Sequence, residues 1–147
     1  DYGVPVRIVI PRIDVNAPVI RLGVDSNGYM ETPSSGQELG WYEPGAMPGQ
    51  RGNAVIDGHY DTATQSAIFF ALRTVKKGDV LFVLTENGLV LPFTVYDVAR
   101  FDAYRFPVQR VFGASSDRNL NLITCEGEYD RLRHTYLERL VVFTRRT

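Results

Sequence analysis

Three side chains in this sequence have the means, together, to do covalent chemistry. Cys125 is the single cysteine. It ends the run Asn119-Leu-Asn-Leu-Ile-Thr-Cys, and Glu126-Gly127 follow, which reads as a strand that carries a thiol to its rim and then turns. The thiolate of such a cysteine is a nucleophile, and an imidazolium beside it both stabilises the charge and returns a proton to a leaving amine. His59 is the candidate partner. It follows a short strand and Gly58 and precedes Tyr60-Asp61-Thr62, and the glycine permits a sharp turn that presents the ring at a sheet edge. Arg139 lies in Tyr136-Leu-Glu-Arg-Leu-Val-Val-Phe143. If 119–124 and 137–144 pair as antiparallel neighbours, the loop between them returns Arg139 to the neighbourhood of Cys125. A guanidinium there can donate hydrogen bonds to a carbonyl oxygen as it gains negative charge. Nucleophile, proton donor and oxyanion contact together make an acyl-transfer site.

Each residue also has a plainer role. A lone cysteine in an apolar run is often a small core residue. A single histidine after a strand is more often structural than catalytic. Arg139 reads equally as an exposed strand arginine paired with Glu138 or Glu128, and because Leu140–Phe143 is apolar on both sides, alternation does not choose its face. His134, in the polar segment Arg131–Thr135, reads as solvated.

The elements that must position these groups are mostly strands. With 147 residues the chain suits one domain spanning 1–147 with one sizeable core. Val, Ile, Thr, Tyr and Phe are plentiful, punctuated by 13 Gly and 8 Pro. Val4–Ile10 and Val15–Leu22 read as short strands, and Asn53–Asp57 as a strand running into Gly58-His59. The stretch from Thr32 to Gln50 reads as a long connection with one helical turn near Gln37–Leu39, its Trp41 and Tyr42 pinning it to the sheet wall or lining a groove. Ala67–Val75 places Ile68, Phe69, Leu72 and Val75 on one helical face. Val80–Leu84 and Leu89–Val98 form a hairpin around Glu86-Asn87-Gly88. Phe101–Arg118 is a second long connection with a short helix near Pro107–Phe112, and Asn119–Thr124 and Leu137–Thr144 are the last strands. Seven or eight short strands without a strand–helix rhythm argue for a mostly-β barrel or sandwich.

Bulk properties exclude several classes. The 16 basic and 17 acidic side chains give a net charge of −1. The cluster Arg131, Arg133, Arg139, Arg145 and Arg146 is interleaved with carboxylates, so no nucleic-acid footprint or polybasic membrane patch is expected. One cysteine excludes an internal disulfide and a Cys-based zinc site. No metal or other cofactor is expected, and Glu126, Glu128 and Asp130 read as solvated. No apolar run is long enough to span a bilayer, and a targeting or anchoring segment upstream of Asp1 is compatible with the sequence.

The residues also carry a resemblance. Leu122-Ile-Thr-Cys125 resembles the Leu-x-Thr-Cys signature of sortases, the cysteine transpeptidases of bacterial cell surfaces. Val55-Ile-Asp-Gly-His59 resembles the family's strand-ending Gly-His, and Arg139 ahead of Leu-Val-Val-Phe matches its arginine. His59 precedes Cys125 by 66 positions and Arg139 follows it by 14, in the family's order and range. The likeness covers Val4 to Phe143. Gly58-His59-Tyr60-Asp61-Thr62, Gly40-Trp41-Tyr42 and the short loop after Cys125 are most similar to the group called class F. Asp57 departs from the small residue common before Gly-His, and Glu126 from the glycine common after the cysteine.

The resemblance implies a closed eight-stranded β-barrel with one or two short helices. It implies that Cys125 attacks the Thr–Gly bond of a sorting signal resembling Leu-Pro-x-Thr-Gly, that Arg139 helped by Thr124 holds the oxyanion, and that His59 protonates the leaving glycine amine. A cell-wall precursor amine or a pilin lysine then resolves the thioester. Val108, Val111 and Phe112 are implied wall residues of the peptide groove. The implied location is the extracellular face of the membrane of a Gram-positive bacterium, held by an N-terminal anchor outside this chain, with secreted surface proteins as partners. Two other readings compete. An L,D-transpeptidase or small cysteine peptidase fits poorly, since Thr124 rather than glycine precedes the cysteine and His134 is too close after it. A non-catalytic β-domain requires Cys125 to be inert. The apolar approach to Cys125 and the acidic Glu126 beside it predict a thiol that is mostly neutral at neutral pH.

Overall fold

The computed structural model describes residues 2–61 and 66–147. Thr62, quoted in the histidine motif, lies outside the described residues. Eight strands close into a barrel: β1 Pro5–Ile10, β2 Val15–Leu22, β3 Leu39–Tyr42, β4 Gly52–Asp57, β5 Val80–Thr85, β6 Val90–Asp102, β7 Arg118–Asp130 and β8 Thr135–Arg146. Their order around the barrel is β1-β2-β3-β4-β7-β8-β6-β5. Closure leaves no open sheet edge. The pairs β2–β3 and β4–β7 are parallel and the others antiparallel.

Alternation divides the side chains between two cores. Ala54, Ile56, Leu120, Leu122, Leu140 and Val142 belong to the barrel interior. Val55, Ile123, Val141 and Phe143 point outward, where Val111 of the short helix α1, Val108–Phe112, covers them. This explains why the last strands are apolar on both faces: each face has its own cover. Buried asparagines tie that cover down. Asn53 Nδ2 donates to the Gly113 carbonyl at 2.8 Å, Asn121 Nδ2 to the Val111 carbonyl at 2.9 Å, and Asn119 Nδ2 to Asn53 Oδ1 at 3.0 Å. A buried amide that finds such partners fixes one arrangement of helix on sheet.

Three local expectations are corrected. The connection from Thr32 to Gln50 contains strand β3, not a helical turn. Trp41 is buried in the core with its Nε1 donating to the Ala46 carbonyl at 3.0 Å. Four residues that include Gly40, between Pro- and Gly-rich flanks, carry too little alternation to read as a strand. The segment 67–75 buries Phe69, Leu72 and Val75 as expected but forms only a 3₁₀ turn over Phe70–Thr74. So few residues ahead of Lys77-Gly78 cannot sustain an α-helix on propensity alone. Finally, β7 does not end at the cysteine. It continues to Asp130, because an irregularity in the β7–β8 pairing between Glu126 and Tyr129 absorbs Gly127 at φ +84°, and the ladder then resumes.

Candidate active site

The β7–β8 ladder sets Cys125 directly opposite Arg139, and the β6–β8 ladder sets Arg139 opposite Phe101. All three project from the outer face of the barrel, on the side of Ile123, Val141 and Phe143. On the other flank β4 runs parallel to β7, with Asp57 paired to Ile123, and delivers Gly58-His59 beside the thiol strand. A cleft of about 860 Å³ opens there, bordered by Asp57, His59, Asp61, Cys125, Tyr136 and Arg139. The three residues singled out for acyl transfer therefore share one cleft. His134, expected in solvent, is exposed but also borders it, in a left-handed backbone conformation.

His59 is oriented by an unforeseen partner. Its Nε2 lies 2.6 Å from the Pro33 carbonyl, which can only accept, so Nε2 carries a proton and Nδ1 holds the lone pair of the neutral ring. No sequence motif marks Pro33; only the fold brings the 23–38 connection across β4. Gly58 also has a different role from the expected turn. Its φ is not positive, and a Cβ there would lie 2.5 Å from Leu39 Cδ2 and 2.7 Å from Phe69 Cδ2. Glycine is needed for close packing beneath the histidine.

Arg139 is not paired with Glu138 or Glu128; the ion pairs among the described residues do not include it. Its Nη1 donates to the carbonyls of Tyr136 at 2.8 Å and Glu138 at 3.1 Å, and its Nη2 donates to Thr135 Oγ1 at 3.0 Å. These bonds hold the planar fork while leaving further N–H groups for another acceptor. Thr124 borders the cleft, yet its hydroxyl donates to the Gly58 carbonyl at 2.8 Å. It straps the thiol strand to the histidine strand and does not turn its hydroxyl to an oxyanion. The expected groove wall is only partly placed. Phe112 borders the cleft with Phe106, and Tyr42 packs against it edge-on at 5.3 Å. Val111 is fully buried beneath the helix, and Val108 is exposed outside the cleft lining, because a five-residue helix turns only one side to the opening.

Burial raises the thiol pKa of Cys125. Arg139 opposes that rise, and the carboxyls of Asp57 and Asp61 reinforce it. The expected opposing charge, Glu126, faces the other side and pairs with Arg100 at 2.9 Å. Asp57 is the more consequential neighbour. Burial pushes its carboxyl up to about 8, and its Oδ1 is buried without a partner among the described residues. It is therefore neutral at pH 7 and ionises as the pH rises past 8, adding negative charge beside the sulfur. The alkylation rate of Cys125 against pH should consequently give an apparent pKa above the ordinary thiol range. Asp57→Asn should move that curve toward acid, with the difference opening above about pH 8. A wild-type value well below neutral, or an unmoved curve in the variant, would contradict this account.

No group of three His, Cys, Asp or Glu side chains suited to a metal ion occurs among the described residues.

Comparison with known proteins fits this geometry. A model of the sortase domain matches residues 8–147. Sortase C-1 from Actinomyces oris superposes with a TM-score of 0.75 at 27% identity, over 97% of this chain and 74% of that one. Sortase C1 from Streptococcus suis gives 0.74 at 19% identity, over 99% and 74%. A lid mutant of sortase A from Corynebacterium diphtheriae gives 0.75 at 24%, over 100% and 72%. No curated protein sequence matches at a significant level. A thiol, an imidazole and a guanidinium on one face of a closed eight-stranded barrel, matched by a family model over nearly its whole length, place this chain in the sortase family of cysteine transpeptidases.

Proposed function

We propose that the chain, as a single catalytic domain, cleaves a sorting signal resembling Leu-Pro-x-Thr-Gly between threonine and glycine and passes the threonyl group to an amine. The observation that carries this reading is the register of Cys125 against Arg139, with His59 on the same cleft. A thiolate on Cys125 attacks the threonine carbonyl carbon. The oxygen, as it becomes negative, meets the N–H groups of Arg139 that its own strand leaves unused. The imidazolium of His59 gives its proton to the departing glycine nitrogen, the C–N bond breaks, and a thioester remains. An amine then attacks the thioester and releases the thiol. Because burial keeps the thiol mostly protonated, the reactive thiolate–imidazolium pair is a minor state, and turnover is slow for a cysteine enzyme.

Phe106 and Phe112 offer apolar contact to the peptide, and of the expected wall residues Val108, Val111 and Phe112 only Phe112 does so. The partners of this reaction are secreted surface proteins and a cell-wall amine, at the outer face of a Gram-positive membrane. No helix among the described residues is long and apolar enough to cross a membrane.

A pool of Leu-Pro-x-Thr-Gly peptides varied at x tests the reading. Intact mass should show Cys125 gaining the mass of the acyl fragment, and an added glycine-based amine should divert product from hydrolysis to ligation. Absence of the acyl-enzyme with every peptide would sink the proposal; an acyl-enzyme resolved only by water would make the chain a hydrolase.

A further inference from the structure

The loop after β4 and the start of β8 meet in a contact that the acylation steps leave unused. Tyr136 Oη donates to Asp61 Oδ2 at 2.7 Å. That bond pushes the Tyr136 pKa up to about 12, so the phenol stays a donor throughout the neutral range. Tyr136 stands edge-on to Tyr60 at 5.5 Å and to Tyr129 at 5.2 Å. Tyr60 is itself stacked on Phe70, whose ring is covered by the Arg73 guanidinium at 3.9 Å, so the group of rings is braced from behind. Asp61, Tyr129 and Tyr136 border the same cleft as His59 and Cys125.

A carboxylate among tyrosine rings is suited to a primary ammonium group. The carboxylate meets the charge, the ring faces add cation–π attraction, and the phenol oxygen offers an acceptor. The alternatives within the cleft are poorer. Asp57 is buried and held neutral at pH 7. Arg139 and His134, which also border the cleft, carry no negative charge to offer. We propose that Asp61, with Tyr136 and Tyr129, forms the subsite that binds the acyl-accepting amine and selects a primary amine arriving as its ammonium. This rests on the acyl-transfer reading above and adds to it where the second substrate sits.

The chemistry balances as follows. The bound ammonium loses one proton to bulk water, and the free amine nitrogen attacks the thioester carbonyl. The adduct's N–H proton passes to the neutral imidazole of His59 as the C–N bond forms and the C–S bond breaks. The sulfur leaves as thiolate and recovers that proton from the imidazolium, restoring thiol and neutral histidine.

The test follows the fate of an acyl-enzyme made from the responsive sorting peptide. Ligation and hydrolysis products are measured with triglycine amide, a cation near neutral pH, and separately with hydroxylamine, which is uncharged there. For Asp61→Asn the ligation-to-hydrolysis ratio with triglycine amide should fall about tenfold, through the KM for the amine, while the hydroxylamine ratio moves less than about twofold. Tyr136→Phe keeps the ring and loses the hydroxyl. It should lower the triglycine amide ratio by about threefold with the same selectivity, and it decides the matter if Asp61→Asn does not fold. Equal loss with both nucleophiles, or no loss with either, overturns the amine subsite. If Cys125 never becomes acylated, the acyl-transfer reading fails and takes this inference with it; if it is acylated and the partition is unmoved, only the subsite fails.

Discussion

Replacing Cys125 with alanine is expected to lower peptide turnover by about 10⁴-fold or more while leaving the protein folded. No other thiol exists to take over the attack. Groups that act as a unit lose nearly all their effect when the nucleophile goes, leaving only the contribution of binding and the oxyanion contact. The fold should tolerate the change. Cys125 is only partly buried, it faces the cleft rather than the barrel interior, and its thiol is free. Trading a thiol for hydrogen there removes one atom from the wall of an open cleft and leaves no closed cavity in the barrel core, so the thermal midpoint should shift by no more than a few degrees. Steady-state turnover of the responsive peptide, read with a thermal melt, checks both halves. Unchanged turnover in the alanine variant would falsify the covalent mechanism.

The second large effect is at Arg139. Arg139→Ala should reduce kcat by about 10²- to 10³-fold, the range found when one oxyanion donor is removed, with a smaller change in KM. Lysine should not restore it. The guanidinium is held as a plane by the carbonyls of Tyr136 and Glu138 and by Thr135, and its remaining N–H groups take their direction from that plane. An ammonium on a flexible stem can reach one of those acceptors but cannot reproduce the fork. Arg139→Lys should therefore stay within about tenfold of Arg139→Ala. Recovery of most of the wild-type kcat in the lysine variant would mean that the residue supplies charge alone. Because Arg139 also opposes the upward push on the Cys125 thiol, its loss should raise the pH at which Cys125 alkylates. An unmoved alkylation curve would show that the two side chains do not interact.

The parts of the site that were legible in the sequence are those whose chemistry is carried by residue type. A single cysteine at the end of Leu-Ile-Thr, a Gly-His after a strand and an arginine in the last strand single out three candidate groups, and the barrel brings them to one cleft. The parts that were misread depend on which way a side chain points. The family resemblance implies that Thr124 helps hold the oxyanion. Neighbours along a strand face opposite sides, so its hydroxyl reaches the Gly58 carbonyl instead. Glu126 looked like a charge beside the thiol and for the same reason pairs with Arg100. Val108 and Val111 looked like groove residues, but a one-and-a-half-turn helix offers one side to the cleft and another to the core, and only Phe112 has the right phase.

The sequence alone determined the mostly-β character of the chain and the residue types that could react. Hydrophobic alternation, Asn-Gly turns and a lone thiol are local properties, and local physics reads them. The tertiary structure decided which groups meet. Parallel pairing of β4 with β7 puts Asp57 beside the thiol strand, the 23–38 connection brings the Pro33 carbonyl to His59, and the resumed β7–β8 ladder carries Tyr136 to Asp61. These contacts join residues between 26 and 75 positions apart. Their formation depends on the closure of the barrel as a whole, because no short segment contains both partners.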